Sequence, residues 1–285
     1  HGLSHPTAMP ERILRLFRAV VAWGNHGTNP RRKMLPCQVR RAKITPHSQE
    51  GGHVATSHLR IVQQFLKTRK GPVDIPETGF PFITISRQSG AGTHELCDIL
   101  LEDFGRQPSD VFRGWHVFDR LICEAVAQDP GISRCIEDLI KEHYESEFQS
   151  LMDSLIAGSA GSYRLYKKTF QVIAMLATIG KVIIVGRAGC CVTASFPSAV
   201  HLRLVAPEDQ CLAATMKRLK VGREEAGRLL KRKETERRRL VKTFFGREID
   251  DPLLYDATWN TGKADLHEIS ESVVALIKRR AERTA

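Results

Sequence analysis

The sequence predicts an α/β protein built on a parallel sheet, and three observations carry that reading. From Phe82 onward, short apolar runs alternate with longer helical stretches, the order expected of repeated βα units. The apolar runs, Val182-Ile-Ile-Val185 among them, have the length of buried strands. The first run leads straight into a glycine-containing turn and a helix.

The chain has 285 residues and 42% hydrophobic content, enough for a core in one large domain or in a domain plus an extension. No stretch approaches the roughly 20 apolar residues needed to span a bilayer. Seven cysteines occur without a C-x-x-C pair. That pattern argues against a disulfide framework or metal cluster and for buried reduced thiols in a cytoplasmic protein. The net charge of +11 is uneven. Residues 1–80 hold 13 Lys and Arg against 4 Asp and Glu, and residues 217–247 repeat those two counts. The second basic segment must meet something negative or face solvent.

In chain order, residues 1–80 read as a basic N-terminal extension, partly helical or disordered. The chain opens on His1 rather than Met, which fits a fragment, a processed product or an over-extended reading frame. Residues 10–23 and 57–69 have the spacing of basic amphipathic helices, the first with the choice of a targeting, membrane-surface or partner helix or of a poorly ordered extension. Residues 24–56 are rich in Gly, Pro, His, Asn and Arg and read as loop, and residues 71–81 as a linker. The domain proper spans 81–285. Strands are expected near 82–86, 115–118, 182–186, 199–205 and 255–259. Helices are expected near 92–105, 119–128, 132–157, 162–179, 207–219, 222–244 and 265–283.

The turn after the first strand holds the strongest functional signal. Ser89, Gly90, Ala91, Gly92 and Thr93 join the strand to helix 92–105. Gly90 and Gly92 can take positive φ and let the backbone approach a ligand closely. The unpaired N–H groups and the dipole of the helix start favour an anion there. The full G-x-x-x-x-G-K-[ST] pattern is absent: Arg87 stands in the first Gly position, Thr93 in the Lys position and His94 in the Ser/Thr position. A phosphate site is the reading preferred over a plain glycine turn.

Other residues fall where strands end. Gly186 and Arg187 follow the apolar run 182–185, where ligands of open parallel sheets sit, and an arginine there can grip an anion with a planar fork. Asp119 follows strand 115–118, either to orient a sugar hydroxyl or a metal-bound water or to cap the next helix. Arg232 and Arg237 lie in a charged segment that is either a solvated face, as Glu234 and Glu236 suggest, or a cover for transferring phosphates. Asn260 and Thr261 fall where a base could be contacted, though ordinary turn chemistry accounts for them. Cys190 and Cys191 read as packing.

Together Ile85-Ser-Arg-Gln-Ser-Gly-Ala-Gly92, Phe118-Asp-Arg-Leu-Ile122, Val185-Gly-Arg-Ala188, His201-Leu-Arg-Leu-Val-Ala-Pro207, Glu234-x-x-Arg237 and Tyr255-Asp-Ala-Thr-Trp-Asn-Thr261 resemble, in order, the cytidylate kinase-like proteins of the P-loop nucleoside monophosphate kinase group. The resemblance covers about residues 82–280. It implies a P-loop NTPase-like three-layer sandwich with a five-stranded parallel sheet and a helical lid at about 222–247. It implies transfer of the ATP γ-phosphoryl group, with Mg²⁺, to CMP, dCMP or a related acceptor. By motif, Ser89–Thr93 would hold the donor phosphates, Gly186 and Arg187 the acceptor, and Arg232 and Arg237 would be lid residues. Asp119 is an acceptor or metal-positioning candidate; the metal ligands are otherwise unknown. Ala188 stands where the cytidylate kinases carry Asp, and Arg87 or a lid arginine is the candidate replacement for the absent lysine. Two rivals stand beside this reading: a nucleotide-binding sensor without turnover, and a nucleic-acid-binding module built on the basic segments.

Overall fold

The computed structural model describes residues 80–129 and 160–284. The extension (apart from Phe80) and the helices expected at 10–23, 57–69 and 132–157 lie outside those residues. In order, the described elements are β1 (Phe82–Arg87), α1 (Thr93–Arg106), β2 (His116–Phe118), α2 (Arg120–Gln128), α3 (Ala160–Ile179), β3 (Val182–Val185), β4 (Ala199–Val205), α4 (Glu208–Leu219), α5 (Arg223–Phe245), β5 (Ala257–Asn260) and α6 (Leu266–Thr284). One helical turn, Gly189–Val192, falls between β3 and β4.

The five strands form one parallel sheet in the order β2-β3-β1-β4-β5. β1 is central because its residues can be buried on both sides. Ile83 and Ile85 pack with Leu96 and Leu100 of α1 and Ile269 and Val273 of α6. Phe82 faces the other layer with Val126 of α2 and Phe170 and Ile173 of α3. Helices therefore cover both faces, which makes the three layers. Each fully buried Ile, Leu or Phe contributes about 1.5–3 kcal/mol. In α1 the buried residues Leu96, Cys97, Leu100 and Phe104 recur at helical spacing and fix which face meets the sheet.

Most expected boundaries shift by one or two residues, and three of the shifts have a visible cause. Trp115 precedes β2, with its indole N–H donating to the Val111 carbonyl at 2.8 Å. Tyr255 and Asp256 precede β5, because the Tyr255 N–H closes a 3₁₀ turn onto the Pro252 carbonyl. α5 ends at Phe245, where Gly246 takes the left-handed conformation with φ 63°.

The chain leaves β1 toward β2 on one side and leaves the adjacent β3 toward β4 on the other, so the connections diverge between these two strands. The carboxyl ends of these strands frame the crevice where open α/β sheets bind ligands.

Candidate phosphate site

β1 delivers the chain into a turn held firmly at both ends. The Gln88 N–H donates to the Leu204 carbonyl, and its side-chain Oε1 accepts from the Ala206 N–H, each at 2.9 Å. Gly90 and Gly92 have φ values of 90° and 75°, a region open to glycine. A Cβ on Gly90 would stand 2.7 Å from the Cys211 backbone, so α4 leaves room for hydrogen alone. Gly92 is the N-cap of α1, and no side chain caps the helix. The first N–H groups of α1 therefore await an outside acceptor at the positive end of the dipole. Ser89 and Thr93 are buried, and Thr93 Oγ1 has no hydrogen-bond partner.

Helix α5 lies over this turn. The Ser89 N–H donates to Glu234 Oε1 at 3.0 Å. The same carboxylate oxygen accepts from Arg237 Nη1, while Arg237 Nη2 donates to Ser89 Oγ at 2.9 Å. Arg237 thus grips the turn and the carboxylate together with one planar fork.

Arg87 and Arg187 join Arg237 around a small cavity also lined by Ser86, Cys190 and Val241. Its volume is ≈ 30 Å³, room for water and far short of a nucleotide. Burial, then the neighbouring Arg237, pushes the Arg87 guanidinium down to about 10. Burial, then Arg120, does the same to Arg187, also to about 10. Arg187 forms an ion pair with Glu124 of α2 and lies over the Tyr166 ring at 5.6 Å, and its Nε is buried without a partner. The backbone here is strained. Gly186, Arg187 and Ala188 are consecutive left-handed residues with φ of 81°, 54° and 53°. For a non-glycine residue that conformation costs about 1–2 kcal/mol, and such strain clusters at functional sites.

Behind the cavity lies a buried cation. Arg203 of β4 is 2% exposed; it donates to Ser86 Oγ at 3.0 Å and to Asp250 Oδ1 at 2.5 Å. Arg238 of α5 reaches the other Asp250 oxygen. The Tyr255 hydroxyl donates to the Ile249 carbonyl at 2.8 Å and lies 3.2 Å from Ser86 Oγ. The end of α5 is thereby tied to the floor of the site.

Residues 82–263 match the model of the cytidylate kinase-like family. The chain belongs to that family. Among solved structures it is similar to an uncharacterized protein from Eubacterium ventriosum, at 17% identity and a TM-score of 0.55, covering 70% of this chain and 99% of that one. A second match, TT1252 from Thermus thermophilus, has 16% identity and a TM-score of 0.30, covering 70% and 97%. No curated protein matches the chain. The described residues contain no helix long and apolar enough to cross a membrane.

Within this member of the cytidylate kinase-like family, the site residues expected from sequence separate into two groups. Arg87, Ser89–Thr93, Gly186, Arg187 and Arg237 gather at the strand ends. Arg232 does not join them: it is exposed, 3.8 Å from Glu236, and about 140° around the helix from Arg237. Asp119 caps α2, with Oδ1 accepting from the Ile122 N–H at 3.0 Å. Asn260 Oδ1 accepts from the Gly262 N–H at 3.0 Å, and the Thr261 N–H donates to the Val205 carbonyl at 2.9 Å, so both serve the turn after β5. Cys190 and Cys191 are buried in a cluster with Val241, Ile249 and Leu254, as packing requires.

Four participants were given no role at the site by the sequence reading: Ser86, Glu124, Arg203 and Glu234, although Glu234 is part of the Glu234-x-x-Arg237 motif. Arg203 had a usable signal, a lone charge within the apolar strand Ala199–Val205. Lys233 is a fifth, its pKa lowered by burial and then by Arg218, Arg237 and Arg120, which marks a wider basic cluster at the mouth.

Proposed function

We propose that this protein is a nucleoside monophosphate kinase that transfers the γ-phosphoryl group of ATP to CMP, dCMP or a related acceptor. The observation that carries this is the convergence of Arg87, Arg187 and Arg237 on one cavity beside an uncapped helix N-terminus. Phosphoryl transfer needs positioning and positive charge more than covalent help. The N–H groups of Ser89–Thr93 bind the donor phosphates. Arg187, projecting from the strained strand end, holds the acceptor phosphate, and Arg87 and Arg237 face the transferring group. Arg87 and Arg187 titrate near 10, so both remain charged at neutral pH.

In the reaction an acceptor phosphate oxygen attacks the γ-phosphorus while the bond to the β-bridging oxygen breaks and ADP leaves. The acceptor oxygen is already anionic, so no protein base is required. The orphan Thr93 hydroxyl and Asp119 are the protein groups offered to a Mg²⁺ ion carried largely by the ATP phosphates, as this cation prefers. These residues would hold a bound Mg²⁺, which would supply neutralisation of the phosphate charge. Five described cysteines are buried and free, which supports a reducing cytoplasmic setting.

A coupled assay of ADP release with a panel of nucleoside monophosphates tests the proposal. Release above the ATP-only background is expected with at least one pyrimidine acceptor. If none gives release, the kinase reading fails. Thr93 in place of lysine favours one second reading, a sensor that binds nucleotide without turnover; calorimetric binding with no product would establish it.

A further inference from the structure

We propose that Glu234 is a built-in competitor for phosphate: its carboxylate occupies the anion subsite of the glycine turn, and a phosphate oxygen takes its place when a nucleotide binds. The inference rests on the reading of this turn as a phosphate site, and adds to it how the site is kept shut.

The subsite is defined by its donors. The Ser89 N–H, at 3.0 Å, and Arg237 Nη1 converge on one oxygen, Glu234 Oε1. Two convergent N–H donors, one of them cationic, are what a phosphate oxygen requires. Nothing in the geometry demands a carboxylate, and an oxygen from a phosphate would receive both bonds unchanged. Glu234 is about three-quarters buried, as is Arg237. A carboxylate withdrawn from water in this way must be held by donors, and the donors it uses belong to the turn.

The seated carboxylate and a bound phosphate would use the same two donors, the Ser89 N–H and Arg237 Nη1, so they exclude one another. The space among Arg87, Arg187 and Arg237 is ≈ 30 Å³. Two buried polar atoms, Arg187 Nε at this cavity and Thr93 Oγ1 at the start of α1, have no hydrogen-bond partner. The turn is therefore partly satisfied by α5, through one Glu234 oxygen and Arg237 Nη2, and partly unsatisfied. Glu234 belongs to the same helix as Arg237, so displacing it leaves the guanidinium at hand to close over the incoming anion. Its neighbour Glu236 offers a contrast, exposed and 3.8 Å from the exposed Arg232, with no bond to the turn.

The test is calorimetric binding of inorganic tripolyphosphate to the full chain. Glu234→Gln removes the charge from the subsite and is expected to bind about tenfold tighter than wild type, the scale of one hydrogen bond to a charged group. Glu236→Gln removes the same charge two residues away and is expected to stay within about twofold of wild type, since an exposed charge is screened. Glu234→Asp keeps the charge but shortens the reach, and is also expected to bind tighter, which keeps the test decisive if Glu234→Gln folds poorly. If wild type binds and neither Glu234 variant binds tighter, the competitor is overturned and the phosphate site stands. An equal gain in Glu236→Gln and Glu234→Gln, with none in Glu234→Asp, reduces the effect to net charge and overturns it too. If no variant and no wild type binds, the phosphate site fails and the inference fails with it.

Discussion

Replacing Arg203 with methionine isolates the buried polar network behind the cavity. The side chain is 2% exposed and makes two hydrogen bonds, to Ser86 Oγ at 3.0 Å and Asp250 Oδ1 at 2.5 Å, with its guanidinium 5.7 Å from the Tyr255 ring centre. Removing one partner of a fully buried ion pair costs about 3–5 kcal/mol, because the other charge is stranded. Asp250 is not stranded: it is 47% exposed and keeps Arg238. Ser86 keeps the Tyr255 hydroxyl. What is lost is one hydrogen bond to a charged group and one to a neutral group, partly offset by the apolar methionine, which leaves about 2 kcal/mol. For a domain of this size that lowers Tm by about 4–8 °C. Thermal melts by circular dichroism read it. A double-mutant cycle with Asp250→Asn should return a coupling of about 1 kcal/mol. Arg203→Lys should recover less than half, since an ammonium cannot fork to both partners. A Tm within about 1 °C of wild type, or a coupling near zero, would refute the reasoning.

Two further perturbations bear on the anion site. Gly90→Ala places a methyl group 2.7 Å from the Cys211 backbone at a φ of 90°, so the turn must move; a stability loss of about 1–3 kcal/mol in urea unfolding is expected, together with loss of tripolyphosphate binding in calorimetry. The pH dependence follows from Arg87 and Arg187, each lowered from the ordinary arginine value to about 10. Anion affinity should be flat from pH 8 to 9 and fall as pH passes 10, well below where ordinary arginines discharge. The stability contribution has the opposite sign. Both guanidiniums are buried while charged, a destabilisation fully present below pH 10 and relieved as pH rises from there to the ordinary arginine value, where the unfolded chain binds more protons. Affinity measured across pH 8–11 checks this, and a constant affinity to pH 11 would contradict it.

The fold was legible because its signals are local. The Phe82–Ser86 run, Gly90, Gly92 and the apolar stripe of α1 specify strand, turn and helix without reference to the rest of the chain. Arg187 was legible for the same reason, a glycine and arginine ending an apolar run. Glu234 was not. Together with Glu236 it suggested a solvated face, and the bond to Ser89 spans 145 residues. Pairing of Arg203 with Ser86 depends on the β1–β4 register, which sets these residues side by side. Composition grouped Arg232 with Arg237, and only the helix rotation parts them. Asp119 illustrates a limit of another kind, since a cap and a ligand contact use the same carboxylate and the sequence carries no signal that separates them.

The left-handed backbone at Arg187 and Ala188 carries a consequence for anyone engineering this protein. At Ala188 glycine adopts the observed φ freely, and even after its larger loss of chain entropy on folding the replacement would gain up to about 1 kcal/mol. At Arg187 the same relief is outweighed by the stranding of Glu124, its partner in a mostly buried ion pair. A selection for heat resistance alone would therefore accept Ala188→Gly and reject Arg187→Gly. The accepted change lets the segment that aims the guanidinium relax. Heat resistance and anion capture compete at Ala188, so a thermostable variant carrying that change should be checked for phosphate binding before it is used as a substitute for the natural chain.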